Sequence, residues 1–286
     1  MRIPRPVLAL LALPLTLSLT GCISSYTLVK VKPDGTGTVE QTTLISPMMV
    51  NMMAGMASGM AGEKDDKKSK PPSMSDMFKE DELKAAAAKM GTGVRYVSST
   101  PAKADGKEGV TAIYAFDDVT KLAVSQGMKA PGKSLDAGGP PESPIVFALA
   151  PAAGGSKVLS IKMPEKDKAD MKAAAKKKEK SEDGPPDMKD VPPEMLAMMK
   201  GMFQGAKIGI DVEVAGKLVK TNSPYVAGSR ITLMEVDLGA LMDDPVRFQK
   251  LQELGPGASF EEARKVLGDV KGIKLPPGPV TTIEWR

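Results

Sequence analysis

The chain contains one cysteine, Cys22, and no histidine among its 286 residues. One cysteine cannot form a disulfide within the chain, so burial of apolar side chains must stabilise the fold. Aromatic residues make up only 4% of the sequence, and we expect a core of Val, Ile, Leu, Met and Ala. The lack of histidine excludes Ser-His-Asp and Cys-His catalysis and histidine-rich zinc sites. Neither Gly-x-Ser-x-Gly nor Ser-x-x-Lys occurs, so the chain is predicted not to be an enzyme.

The first 21 residues have the three parts of a secretory signal peptide. Arg2 and Arg5 supply the positive charge, residues 7–19 form an apolar run, and the small residues Thr20 and Gly21 follow. The apolar run is too short to span a membrane as a helix. Residues 1–21 are therefore predicted to be a cleaved signal peptide.

The residues Leu19-Thr20-Gly21-Cys22 resemble the lipobox of bacterial lipoproteins. The resemblance implies cleavage between Gly21 and Cys22, a diacylglyceryl group on the Cys22 sulfur, and an acyl chain such as palmitate on the new amine. Two or more such chains anchor a protein stably, whereas one chain binds only marginally. Ile23 stands where an aspartate would signal inner-membrane retention. The resemblance therefore implies a protein of the outer membrane, on its periplasmic face, if the cell has one.

Charge and motif content argue against nucleic acids and nucleotides as partners. Residues 1–21 contain two arginines and no acid, so the rest of the chain carries 37 basic and 35 acidic residues. This near-neutral balance does not favour nucleic-acid binding. Residues 127–134, GMKAPGKS, match the phosphate-binding loop pattern, but the Gly- and Pro-rich residues that follow cannot form the required helix. No cofactor or metal site is predicted from these patterns.

Composition divides the chain beyond the signal peptide into three regions. Residues 22–162 and 194–286 alternate strand-like and helix-like patterns, whereas residues 163–193 are crowded with Lys, Asp, Glu, Ala and Pro. We interpret residues 163–193 as a disordered charged linker, and the two flanking regions can share one sheet. Successive strands lie too close in sequence for parallel crossovers. The predicted fold class is α+β, an antiparallel sheet built of hairpins with helices on one face.

Hydrophobic alternation and turn residues predict the individual elements. A hairpin over residues 25–45 turns at Asp34-Gly35, a pair typical of a primed turn in which both residues have positive φ. A second hairpin joins residues 94–99 to residues 110–116 through a connection that contains Asp105-Gly106. Further strands are predicted at 145–149, 158–161, 208–214, 218–221, 231–236 and 280–285, and helices at 76–90, 117–124, 245–254 and 260–267.

Two methionine-rich segments, at residues 47–62 and 193–204, are the main positive feature of the sequence. Thioether side chains are flexible and fit irregular apolar surfaces. Three interpretations stay open: packed core helices, an exposed apolar surface that contacts lipid or a protein partner, and periplasmic Cu(I) or Ag(I) binding. The candidate residues are Met48, Met49, Met52, Met53, Met56, Met60, Met195, Met198, Met199, Met202 and Phe203.

The body of the chain resembles envelope lipoproteins of the LppM-like group. The resemblance rests on the strand at residues 26–31, on Asp34-Gly35-Thr36-Gly37, and on residues 216–222, GKLVKTN. It transfers no functional residue and implies binding to envelope lipids or proteins. We therefore predict a lipid-anchored binding or adaptor module that acts through its methionine-rich segments, with soft-metal binding as the alternative.

Overall fold

The structure is a computed structural model that describes residues 23–60, 78–125, 144–164, 200–201, 203–254 and 260–286. The signal peptide, Cys22, residues 165–199 and the loop-like motif at 127–134 lie outside the described residues. The strands are β1 (Ile23–Val31), β2 (Gly37–Ile45), β3 (Val94–Ala104), β4 (Lys107–Phe116), β5 (Val146–Pro151), β6 (Lys157–Lys162), β7 (Lys207–Val214), β8 (Leu218–Thr221), β9 (Val226–Ala227), β10 (Arg230–Asp237), β11 (Ile273–Lys274) and β12 (Val280–Trp285). The helices are α1 (Pro47–Met60), α2 (Glu80–Lys89), α3 (Leu238–Met242), α4 (Pro245–Leu254) and α5 (Phe260–Leu267).

The strands form two sheets. The large sheet has the order β11-β10-β7-β1-β2-β4-β3, with β9 paired to β10. The small sheet has the order β5-β6-β12-β8. Within the large sheet β1 pairs with β7 in parallel, from Ser24 opposite Lys207 to Val31 opposite Val214, and the other pairings are antiparallel.

The two sheets share one hydrophobic core. From Val110 to Phe116 along β4 every second side chain is buried, as a strand with one face on the core requires. The small sheet contributes its own buried side chains to the same cluster. Both sheets therefore fold around a common interior, whose fully buried members include Tyr114, Phe147, Leu159, Ile161, Val212, Ile231, Ile283 and Trp285.

The predicted fold class is wrong. The described chain is mostly β-strand in two sheets with a few short helices, and the large sheet is mixed rather than antiparallel. Side chains of the small sheet, such as Phe147 and Leu159, lie in the core that helices were expected to cover. The parallel pair β1–β7 escaped prediction because its strands are separated by about 180 residues, and local spacing reports only on neighbouring strands.

The two Asp-Gly turns differ. Asp105 and Gly106 have φ of 50° and 69° and connect β3 to β4 directly, which is the geometry of a primed two-residue turn. At the β1–β2 turn only Gly35 has positive φ, and the Asp34 carboxylate accepts a 3.0 Å hydrogen bond from the Thr36 amide. The primed turn predicted at Asp34-Gly35 is therefore wrong, because the Asp34 side chain stabilises a longer loop.

Helix α1 follows β2 after one residue. Ser46 caps it, since its hydroxyl accepts from the Met49 amide at 3.2 Å. No helix of the described residues is long and apolar enough to cross a membrane.

Candidate ligand-binding cleft

Helix α2 forms one wall of an apolar cleft. Its sequence, EDELKAAAAK, places three acids in the first turn and a lysine in the last, which suits the helix dipole. The alanine run has high helix propensity. Leu83 and Ala87, spaced i and i+4, are buried against the sheet, while the exposed face carries a Glu80–Lys84 ion pair.

A glycine fixes the end of α2 against the rest of the fold. Gly91 has φ of 125°, and a Cβ at this position would overlap the carbonyl oxygen of Lys121. Its neighbour Met90 accepts a 2.7 Å hydrogen bond from the Ala123 amide. This close approach holds α2 at a set distance from residues 119–124, and the space between α2 and the sheet stays open.

The cleft lies between α2 and the inward faces of β1, β2 and β4. Its volume is about 120 Å³. An apolar cavity of about 150 Å³ holds a benzene ring, so this one can take a short stretch of hydrocarbon. Its floor includes Thr27, Val39, Gln41, Thr43, Val110, Ala112 and Tyr114, and its other walls include Phe78, Glu82, Leu83, Ala86, Lys89, Met90 and Val124.

Tyr114 is one of the residues that line this cleft, and its hydroxyl is buried. Its side chain is fully buried, and the hydroxyl has no hydrogen-bond partner among the described residues. Burial, with a smaller contribution from Tyr96, raises the pKa of Tyr114 to about 12. The two rings meet edge to face with centroids 6.0 Å apart, and the Tyr96 hydroxyl donates to Ser99 at 2.8 Å. The Tyr114 hydroxyl is therefore protonated at neutral pH and shielded from solvent.

The α2 wall carries the charged groups of the cleft. Glu82 and Lys89 both line it, and Glu82 Oε2 is buried without a hydrogen-bond partner among the described residues. Within those residues, no three His, Cys, Asp or Glu side chains are grouped so that they could hold a metal ion. The cleft thus combines a largely apolar floor with two charged side chains on the α2 wall.

A second polar cluster lies on the opposite face of the large sheet. The Tyr26 ring crosses over Gly209 on the neighbouring strand, where a Cβ would overlap it, and its hydroxyl reaches Asp211 Oδ2 at 3.5 Å. Asp211 is 3% exposed, and Oδ1 has no partner among the described residues. Burial is the main cause that raises the pKa of Asp211. We interpret these groups as structural, because the Tyr26 hydroxyl and the Asp211 carboxylate contact each other across the β1–β7 pair.

An open acidic depression near α3 and α4 is explained by helix capping. Asp237 accepts from the Ala240 amide at 3.1 Å, and Asp244 accepts from the Arg247 amide at 3.1 Å. Asp243 forms a 2.6 Å ion pair with Lys200. Asp118 likewise accepts from the Thr120 amide at 2.9 Å. These carboxylates serve the backbone and an ion pair rather than a cation.

The structure describes only part of the predicted site. Met48 is 60% exposed at the start of α1, and Met49, Met52 and Phe203 are half-buried. Met53, Met56 and Met60 belong to α1, but their side chains lie outside the description. Gly21, Cys22, Met195, Met198, Met199 and Met202 lie outside the described residues.

Sequence reasoning predicted the elements of the cleft without the cleft itself. The helix at residues 76–90 and the strand at residues 110–116 were predicted and are confirmed as α2 and β4. The available signal was the position of Tyr114, which puts a hydroxyl on the buried face of an alternating strand. A buried tyrosine usually finds a partner, so this pattern alone could not reveal a vacant hydroxyl.

Comparison with known proteins gives limited similarity. No family model and no curated protein matches the sequence. The chain is weakly similar in structure to the folded domain of LppM from Mycobacterium tuberculosis, determined by NMR. That match has a TM-score of 0.30 and 9% sequence identity, and it covers 93% of this chain and 91% of the other. At this level the match assigns neither a fold nor a function.

Proposed function

We propose that this protein is a lipid-anchored, non-enzymatic binding module of a bacterial envelope. Its ligand site is the cleft between α2 and the large sheet. The observation that carries the proposal is the fully buried hydroxyl of Tyr114, which has no hydrogen-bond partner among the described residues and belongs to a side chain that lines a largely apolar cleft of about 120 Å³. A ligand with a hydrocarbon portion and one hydrogen-bond acceptor, such as a fatty acyl chain with its carbonyl, fits both features.

The cleft and such a ligand have complementary surfaces. Burying hydrocarbon in the cleft gains about 0.8 kcal/mol per methylene. An acceptor placed near the Tyr114 hydroxyl removes the penalty of an unsatisfied buried group, about 1–3 kcal/mol. Glu82 and Lys89, which line the α2 wall, can contact a polar head group.

The proposed lipid anchor holds the protein at a membrane surface. The lipobox-like residues place the acyl chains on Cys22, and Ile23 in the following position favours the outer membrane if the cell has one. Such a tether concentrates the protein at a surface rich in acyl chains. The methionine-rich segments form a second contact surface for lipid or an envelope protein, and neither nucleic acid nor nucleotide is a partner.

The proposal can be tested by fluorescence titration with dansyl-undecanoic acid. We expect saturable binding with one site per chain. Ala86 lines the cleft and is half-buried, so Ala86→Leu should fill part of it. Because three added carbons occupy the space of ligand methylenes, the affinity should fall about tenfold or more.

Ala88→Leu is the matched control, since Ala88 lies on the same helix with its side chain exposed. It should bind the probe as the unmodified protein does. Equal affinity for all three proteins, or no saturable binding, would remove the cleft as the ligand site.

A further inference from the structure

The first strand leaves no linker between the anchor and the fold. Strand β1 begins at Ile23, the residue that follows Cys22 in the sequence. One strand residue spans about 3.3 Å, so lipid on Cys22 is attached directly to a strand in the middle of the large sheet. This step rests on the proposed anchor. It means that one end of the large sheet, the anchored end, must lie at the bilayer surface.

Helix α1 starts at the anchored end. Ile23 is the register partner of Ile45, and α1 begins two residues later at Pro47. Paired Cα atoms lie about 5 Å apart, so the attachment point and the start of α1 are close neighbours. The β1–β2 turn at Lys32 marks the opposite end of the strand, about 26 Å away for eight residue steps.

The chemistry of α1 suits the boundary between lipid headgroups and acyl chains. Its 14 residues, PMMVNMMAGMASGM, include no charged side chain. Met48, at the start of the helix, is 60% exposed. At 1.5 Å per residue the helix is about 21 Å long, which is too short to span the hydrocarbon core but long enough to lie along its surface.

Among the described residues, several basic side chains at the anchored end are already paired with other groups. Lys103 pairs with Glu108 at 2.7 Å, and Lys200 pairs with Asp243 at 2.6 Å. The buried Lys107 donates to Ser24 Oγ at 2.8 Å and to the Gly205 carbonyl at 2.7 Å, so it holds the end of the sheet together. Attraction to anionic lipid requires a cluster of unpaired basic side chains. The apolar α1 is the better contact.

We infer that α1 lies in the lipid interface and that, together with the acyl chains on Cys22, it holds the large sheet upright on the bilayer. The partner is the lipid surface itself, and contact does not depend on anionic headgroups. The orientation also places the cleft near the membrane, because its lining residue Thr43 is only two residues from Ile45, about 7 Å along β2.

The inference can be tested by nitroxide labelling of the lipidated full-length protein in vesicles. Met48→Cys places the label on α1, and Lys32→Cys places it on an exposed residue of the distal turn. Acylated Cys22 leaves no other thiol to label. For each label, we compare the collision rate with oxygen to the collision rate with a water-soluble nickel chelate. This oxygen-to-nickel ratio should be several-fold higher at position 48 than at position 32. The ratio should be the same in phosphatidylcholine vesicles and in vesicles that also contain phosphatidylglycerol.

Mass spectrometry of the N-terminal peptide separates the two proposals. If Cys22 carries lipid and both labels are equally exposed to the nickel chelate, the α1 contact is refuted while the anchor stands. If contact at position 48 requires phosphatidylglycerol, the apolar mechanism is refuted. If Cys22 carries no lipid, the anchor is refuted, together with the orientation that depends on it.

Discussion

Replacing Tyr114 by phenylalanine should make the protein more stable and a poorer binder. The Tyr114 hydroxyl is fully buried and has no hydrogen-bond partner among the described residues. Tyr114→Phe removes this group and keeps the ring that packs against Tyr96. If the Tyr114 hydroxyl had a structural hydrogen bond, this change would destabilise the protein. A gain in stability together with a loss of ligand affinity would therefore identify a hydroxyl that serves the ligand.

The magnitudes follow from the cost of an unsatisfied buried hydroxyl, which is about 1–3 kcal/mol. We expect Tyr114→Phe to raise the free energy of unfolding by about 1 kcal/mol, since the ring still fills its space. For a folded chain of this size, that corresponds to a rise in Tm of about 2–4 °C. The lost hydrogen bond should weaken dansyl-undecanoic acid by about two- to tenfold.

Urea denaturation followed by Trp285 fluorescence measures the first effect, and the fluorescence titration measures the second. Tyr96→Phe is the matched control, because the Tyr96 hydroxyl donates to Ser99 at 2.8 Å. It should lower the stability and leave the probe affinity unchanged. If Tyr114→Phe lowers the free energy of unfolding by 1 kcal/mol or more, or leaves the probe affinity unchanged, the reasoning about the free hydroxyl is wrong.

Three further predictions concern the sheet, the buried acid and the anchor. In urea denaturation, Gly109→Ala should lower the free energy of unfolding by about 3 kcal/mol or more, because the new Cβ would overlap the Thr43 carbonyl oxygen across the β2–β4 pair. Gly55→Ala is the control: it has open space around it and should be neutral or stabilising. Burial raises the pKa of Asp211 above 3.8, so the folded state holds the proton more tightly and stability falls as the pH rises through the folded-state pKa. Asp211→Asn should therefore raise stability at neutral pH and flatten its pH dependence above pH 4, and an unchanged pH profile would contradict the assignment. Cys22→Ala should abolish membrane attachment, which fractionation and mass spectrometry of the N-terminal peptide would check, and a variant that still carries lipid would overturn the lipobox interpretation.

Local patterns in the sequence predicted the elements better than their assembly. The alternation of Ile208, Ile210, Val212 and Val214 correctly indicated a strand, which is confirmed as β7. The same pattern does not show that β7 lies parallel to β1, because the alternation of side chains along a strand looks the same in either kind of pairing. The closing strand at residues 280–285 was also predicted and is confirmed as β12, but nothing local indicated a second sheet.

The cleft could be predicted least, because it depends on distances rather than on residue types. Leu83 and Ala87 indicate that α2 has a buried face, but the height of α2 above the sheet depends on the Gly91–Lys121 contact. That contact joins residues 30 apart through backbone atoms. The periodicity of side chains does not reveal this backbone contact. The hydrophobic positions therefore predict α2 but not the cleft between α2 and the sheet.

The positions of β1 and β12 have a consequence for how the protein is made. The first described strand lies in the middle of the large sheet and the last lies between β6 and β8 in the small one. While the chain is being synthesised, one edge of β1 stays unpaired until β7 follows, about 180 residues later. Such distant pairings slow folding and expose strands that aggregate. The incomplete chain is therefore expected to need a chaperone until β12 has been made.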